Sequence, residues 1–498
     1  MKSLNKQEKQ SILITNIIIL GVLLFFFIKS CPIVPYDADD WIHIGQMRIP
    51  LPIWNGWNPS KVLPEVLMPM CGYIGAYVVY PIVGDYLYSI TITAAVILSL
   101  HILILCICFM WFMHKRFQFS INLSLVFEIM FLIFNFAIFR NRGTSRYMFY
   151  ADNMNCIFNY TIPGIVNAIA VLFMMCYQDF PKVYKNFTTL KKSLFVMLIY
   201  FAAFSNIFHS ETIAIYCGVI LLNGLIRQIK EKKIVIKEYI VKYRIYLIIL
   251  MTWVCALIFE MSGGRAEKVS SGQSLDFELS LRQLYAMLQA ISDPFFIVFV
   301  LALGWMVFRV INKKKDEKCK EECVMYISMI QNTGLLVIYL IILSAAVPYL
   351  SRIEASWNLW LYVILITIVG IASFVSCVSR AKIFLVPALF VCLVAAFYPD
   401  GRFQMSTLGN TDYATCVNTG NYLIEQIVDA DYNGKMSVVV QVPVYSDENY
   451  AWAFGEGFGA IVADTLYNHN IIRNKLEVIG NSDQTLFEKL KIVDLSSK

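Results

Sequence analysis

Charge is the scarcest commodity in this sequence. Only 15% of its 498 residues are Asp, Glu, Lys or Arg, against 58% hydrophobic, where a soluble domain carries roughly 25% charge. That excludes an ordinary soluble enzyme. Histidine is nearly absent, with five in the chain, so a histidine-rich zinc site is not expected. No Cys-x-x-Cys pair lies near a histidine, and no cysteine framework repeats. Most of the 13 cysteines, Cys106, Cys108, Cys217, Cys255 and Cys392 among them, sit inside apolar runs and act as small hydrophobes. A Gly-rich phosphate loop is missing, which argues against an ATP-driven pump or a nucleotide-sugar enzyme on the cytoplasmic side. The net charge of +6 is scattered in short clusters between apolar runs, so no nucleic-acid partner is expected.

What fills the chain instead is a series of apolar runs near ~20 residues, each long enough to cross a bilayer. The sequence predicts an α-helical polytopic membrane protein with about 11 transmembrane helices. They fall near 11–29, 86–113, 120–139, 157–177, 193–208, 211–226, 245–261, 290–311, 330–349, 357–377 and 383–398. Those at 193–208 and 211–226 are short. The first run resembles a signal peptide, but Lys29-Ser30-Cys31-Pro32 is a poor cleavage site, and it reads as an uncleaved anchor.

Loop charge sets the orientation. Lys2/Lys6/Lys9, His114-Lys115-Arg116, Lys182 to Lys192, the basic connector Arg227 to Arg244, Lys313 to Lys320 and Arg380/Lys382 fall in alternate loops. The positive-inside rule makes these cytoplasmic, which predicts N-terminus in and C-terminus out. The expected organisation is a membrane domain over 1–398 with a long first outer loop at 31–85, then an extracytoplasmic α/β tail domain over 399–498. In the tail, helices are expected at Asn421–Asp431 and Gly455–Asn470, and strands at Met436–Pro443 and Leu476–Ile479.

Polar text collects on the outer side. The first loop carries YDADDW, with Asp37, Asp39, Asp40 and Trp41, followed by a Pro- and Trp-rich stretch that predicts short interfacial helices and turns. An acidic patch there serves either as a simple cation-attracting surface or as a source of a general base. Asp37 and Asp39, two apart, would reach a common centre from an extended or turn segment. Trp41 reads as a sugar platform or an interface anchor. The second loop carries Arg140, Arg142, Arg146, Asp152 and Tyr160. Three arginines outside run against the positive-inside bias. Phosphate, lipid headgroups and the aspartates are the alternative partners for them, as for Arg265 and Arg352 in later loops. His209 and Glu211 sit at a tight turn between the two short spans, either as functional ionisable groups or as helix caps. An aspartate-held Mg²⁺ or Mn²⁺ is chemically allowed, though the spacing does not indicate one. Cys31, Cys71, Cys156 and Cys416 fall on the outer side, where a disulfide among them is an open expectation.

Taken together, Asp37-Ala38-Asp39-Asp40-Trp41 in a long first outer loop, Phe158-Asn159-Tyr160 at the head of a span, and Ser351-Arg352-Ile353-Glu354 resemble the type C glycosyltransferases, in particular bacterial members that decorate surface polysaccharides. The resemblance implies a bacterial plasma-membrane enzyme. It would take a sugar from a polyprenyl-phosphate donor and pass it to a cell-surface glycan or lipid-linked acceptor on the outer face, probing membrane lipids on its flanks. It implies an aspartate of 37, 39 and 40 as general base, with Asp39 a narrow choice, and inversion at the anomeric carbon. No WWDYG-like signature occurs, which disfavours peptide glycosylation. The competing classes are a flippase or transporter of a lipid-linked glycan, which predicts an internal repeat, and a glycan polymerase, which usually places its large arginine-bearing outer loop late in the chain.

Overall fold

A computed structural model describes residues 4–53, 58–141, 144–231, 235–263, 275–312, 317–378, 412–443, 457–483 and 485–490, with isolated positions between 385 and 403. The described residues are 76% helical. Nine helices among the described residues are long and apolar enough to cross a membrane, which makes this a multi-pass membrane protein. They are α1 (Lys6–Ser30), α3 (Val62–Val83), α4 (Tyr86–Arg116), α6 (Met154–Met175), α8 (Ile207–Lys230), α9 (Ile236–Met261), α11 (Asp293–Ile311), α12 (Glu321–Ala346) and α13 (Trp357–Cys377). Shorter helices are α2 (Ala38–Gly45), α5 (Ile121–Ala137), α7 (Thr189–Ala203) and α10 (Phe277–Ala290). The predicted span 383–398 lies largely outside the described residues.

Several helices begin where the sequence supplies a cap. Asn5 and Glu8 form a reciprocal capping box at α1, Asp85 accepts the Tyr88 N–H at α4, and Ser120 caps α5. Helices α6 and α13 form the centre, almost wholly surrounded by protein. They approach closely because position 164 is glycine: a Cβ there would stand 2.8 Å from the Trp357 ring. Helices α1, α9 and α11 instead expose rows such as Leu13/Ile17 and Ile297/Leu301, as lipid-facing helices must.

Residues 62–83 correct the expectation of short helices and turns. They form one helix, interrupted by a π turn at Gly75–Val79. The wider turn accommodates the N–H that Pro81 lacks. This helix is long and apolar enough to cross a membrane, and it is tied to its neighbours at both ends. Its first turn donates Leu63 N–H to the Phe204 carbonyl at the end of α7, and Tyr77 donates to Asn468 of the tail. Likewise the two short spans are redrawn, as α7 and a full-length 24-residue α8. Cys31, Cys71, Cys156 and Cys416 are buried and form no disulfide, which removes the disulfide expectation.

The tail forms α14 (Tyr413–Tyr432), β3 (Ser437–Val442), α15 (Phe458–Asn468) and β4 (Glu477–Ser482), the two strands pairing in parallel from Ser437↔Glu477 to Val442↔Ser482. The Gly434 turn takes φ +68, a conformation glycine adopts freely. This unit docks on the loop that carries the acidic motif. Gly45 meets Thr465 so closely that a Cβ would clash, and Thr465 donates to the Trp41 carbonyl (2.6 Å). His469 is the fixed point. The Ile44 carbonyl (3.0 Å) can only accept, so Nε2 donates to it, and Nδ1 accepts from the Tyr86 hydroxyl (2.6 Å).

Burial lowers the His469 pKa to about 4, against the opposing bond to Ile44. A free imidazole titrates near ~6.5, so the docked form binds fewer protons than the released one. Docking is therefore fully stabilised above about pH 6.5 and weakens as pH falls from there through about 4. Hydrogen exchange at α15 is expected to quicken relative to α5 between pH 7 and 4.5. This pH dependence should vanish in His469→Gln; a wild-type tail equally protected at both pH values contradicts the assignment.

Candidate functional site

The acidic motif folds into a helix start, not an extended segment, and this separates its three carboxylates. Asp37 is the N-cap of α2: Oδ1 accepts the Asp39 N–H (2.8 Å) and Oδ2 accepts from the Asn153 amide (2.9 Å). Asp40, fully buried, closes the capping box. Its Oδ2 accepts the Tyr36 and Asp37 N–H groups (3.0 and 3.2 Å), and its Oδ1 accepts the Asn155 N–H (2.5 Å). Burial pushes the Asp37 carboxyl up to about 6 and raises Asp40 as well, Asp37's charge adding to the second shift while the N–H donors oppose it. Asp39 differs from both. It is half-buried, and among the described residues nothing donates to its carboxylate. The expectation that Asp37 and Asp39 aim at one centre is thus corrected: the cap turns Asp37 inward.

The segment the aspartates grip is the one that carries the rest of the site. From Asn155 a chain of amides runs on. Asn159 donates to Asn155, Lys61 donates to Asn159 Oδ1 (3.2 Å), and Asn206 donates to the Asn159 carbonyl (2.6 Å). This joins the first loop, the head of α6 and the start of α8. Beside it, Tyr160 collects cations. The Lys61 ammonium lies 5.6 Å and the Arg352 guanidinium 5.5 Å from its ring centroid, and Arg352 also lies over Tyr349 (5.1 Å). Arg352 is already ion-paired, to buried Glu354 (2.6 Å) and to Asp152 (3.7 Å), and it donates to Cys156 Sγ (3.0 Å).

His209 meets the Tyr160 ring edge-on at 6.2 Å, and both it and Glu211 are buried at the start of α8 rather than at a surface turn. Asn358 donates both to the His209 carbonyl and to Nδ1 (3.2 Å each). The carbonyl fixes the amide's orientation, so Nδ1 accepts and Nε2 carries the proton. The His209 ring is within reach of the Glu354 backbone, whereas Glu211 Oε2, Asn358 Oδ1, Trp357 Nε1 and the Tyr362 hydroxyl have no partner. Each such buried orphan costs roughly 1–3 kcal/mol unless a polar guest satisfies it. A ligand rich in hydroxyl groups is the chemistry that would do so.

Several expected residues lie elsewhere. Trp41 is neither platform nor anchor: it is wholly buried, stacked on Tyr86 at 6.4 Å, because α2 turns its apolar face to the tail. Arg140 is buried on the Phe403 ring at 4.2 Å and Arg146 lies 5.5 Å over Tyr150, so aromatic faces stabilise both cations. Arg142 and Arg265 lie outside the described residues. The aspartates do not fit a divalent ion, since the oxygens of Asp37 and Asp40 face N–H donors. Among the described residues no three His, Cys, Asp or Glu gather as a metal site.

Compared with family models, curated proteins and solved structures, the chain matches none. The site therefore stands on its own geometry. Lys61 and the Asn153/155/159/206 chain escaped the sequence reading. Lys61 was visible as one more cation on the wrong side of the charge bias, whereas the amides carried no signal.

Asp40→Ala strands three buried N–H groups and is expected to cost at least about 3 kcal/mol, while Asp39→Ala should change stability by less than about 0.5 kcal/mol. Thermal unfolding of the purified variants checks the difference; equal losses would mean that the two carboxylates are not divided in this way.

Proposed function

We propose that this chain is a type C-like glycosyltransferase with about 11 crossings, N-terminus inside and C-terminus outside the bacterial plasma membrane. It transfers a sugar from a polyprenyl-phosphate donor to a cell-surface glycan or lipid-linked acceptor on the outer face. The observation that carries this reading is the half-exposed, unoccupied Asp39 carboxylate, on a turn clamped to the segment that presents Tyr160 between Lys61 and Arg352. A base and a cationic, aromatic surface held on one scaffold suit hydroxyl activation beside a phosphate.

In the reaction, Asp39 takes the proton of the acceptor hydroxyl as its oxygen attacks the anomeric carbon. The bond between that carbon and the phosphate oxygen breaks, and its electron pair leaves with the carrier phosphate, inverting the centre. Because the phosphate is stable as an anion, no strong general acid is needed. Lys61 lends positive charge to the leaving oxygen, and Arg352, balanced by Glu354, positions Tyr160. The Glu211 Oε2 orphan supplies an acceptor for a sugar hydroxyl.

Alanine or amide variants test the assignment. Asp39→Asn is expected to lower transfer from a polyprenyl-phosphate sugar by about 10²–10⁴-fold with normal expression and unchanged thermal stability. Transfer at the wild-type rate in Asp39→Asn would remove the base, and transfer lost only in Asp37→Asn would move it to the cap.

A further inference from the structure

At the opposite end of the bundle, where the charge pattern predicts cytoplasm, two adjoining cavities of about 360 and 630 Å³ share Arg116, Tyr177, Gln178, Asp179 and Met325. Three cations reach the first from separate helices: Arg116 from the last turn of α4, Arg227 from the last turn of α8 and Lys242 from the first half of α9. One carboxylate, Asp179, faces them. No described carboxylate pairs with any of the three. The second cavity adds Lys115, pinned by its bond to the Tyr177 hydroxyl (2.9 Å) and 4.0 Å above that ring, with Lys182 and two carboxylates, Glu321 and the Arg309-paired Glu322.

Basic residues at this face are expected of any membrane protein, but a topology signal needs neither a cavity nor an acceptor inside it. Here Asn332, 2% exposed, lines the first cavity. Its amide donates to the Ser328 carbonyl (2.7 Å), which leaves Oδ1 buried without a partner. Cations at the rim and an orphan acceptor within ask for a guest that is anionic at one end and hydroxylated at the other. We infer that this cavity binds a phosphate ester carrying a free hydroxyl, the phosphate on Arg116, Arg227 and Lys242 and the hydroxyl on Asn332. A glycerol-phosphate lipid headgroup of the inner leaflet and a soluble polyol phosphate share this chemistry. The inference is independent of the outer-face reaction.

The test uses the full chain in detergent, with phosphatidylglycerol, glycerol 1-phosphate and phosphatidylcholine as probes, read by native mass spectrometry and thermal shift. Phosphatidylglycerol or glycerol 1-phosphate, or both, are expected to bind and raise Tm, with phosphatidylcholine inert; which of the two binds identifies the source. Arg116→Gln and Arg227→Gln should each weaken binding about tenfold or more, and Lys230→Gln with Lys237→Gln, on the same face beyond the cavity, should not. Asp179→Asn keeps the helix cap it makes to Lys182 and removes the opposing charge, so it should bind several-fold tighter. The inference is overturned if neither phosphate probe outbinds phosphatidylcholine, if Lys230→Gln/Lys237→Gln weakens binding as much as the cavity variants, or if Asp179→Asn leaves affinity unchanged or lower.

Discussion

Two carboxylates at the start of a two-turn helix hold this molecule's working end together. Asp37 and Asp40 spend their oxygens on backbone and amide N–H groups of the first loop and of residues 153–155. An acid buried this deeply is tolerated only when its lone pairs are met, so the clamp is stiff in both directions. It sets α2 against the head of α6, and the tail against α2 through Thr465 and His469. Loosening it would free the tail, helix α3 and the amide chain to Lys61 together.

That same constraint divides labour within YDADDW. Three adjacent acids would repel one another in a common pocket; the cap separates them, turning two inward and leaving Asp39 half-buried. On the far side of the segment they grip, a second compromise operates. Arg352 sits between Glu354, Asp152 and two tyrosine faces, which keeps a cation in place without a guest. Buried polar atoms of Glu211, Asn358, Trp357 and Tyr362 remain without partners, which a polar guest would satisfy.

Much of this was legible before any coordinates. Apolar run length placed most of the helices, because the bilayer imposes it on any chain that crosses. The tail's elements lie within a few residues of expectation, except α14, which begins at Tyr413 rather than Asn421. Residues 62–83 were misjudged since prolines that break soluble helices are accommodated by a π turn. Trp41 and Arg140 were misread as accessible because sequence gives composition, not direction: one faces the tail and the other a phenylalanine ring. The asparagine chain was illegible because hydrogen-bond partners 40 to 120 residues apart leave no local pattern.

The central claim is that sugar is cut from its carrier at the outer face. The direct measurement follows a polyprenyl-phosphate sugar in proteoliposomes of the purified protein with a glycan acceptor. Free polyprenyl phosphate is predicted to appear in step with glycosylated acceptor. Sugar-lipid that crosses the bilayer intact, with no carrier phosphate released, would contradict the account and identify a transporter.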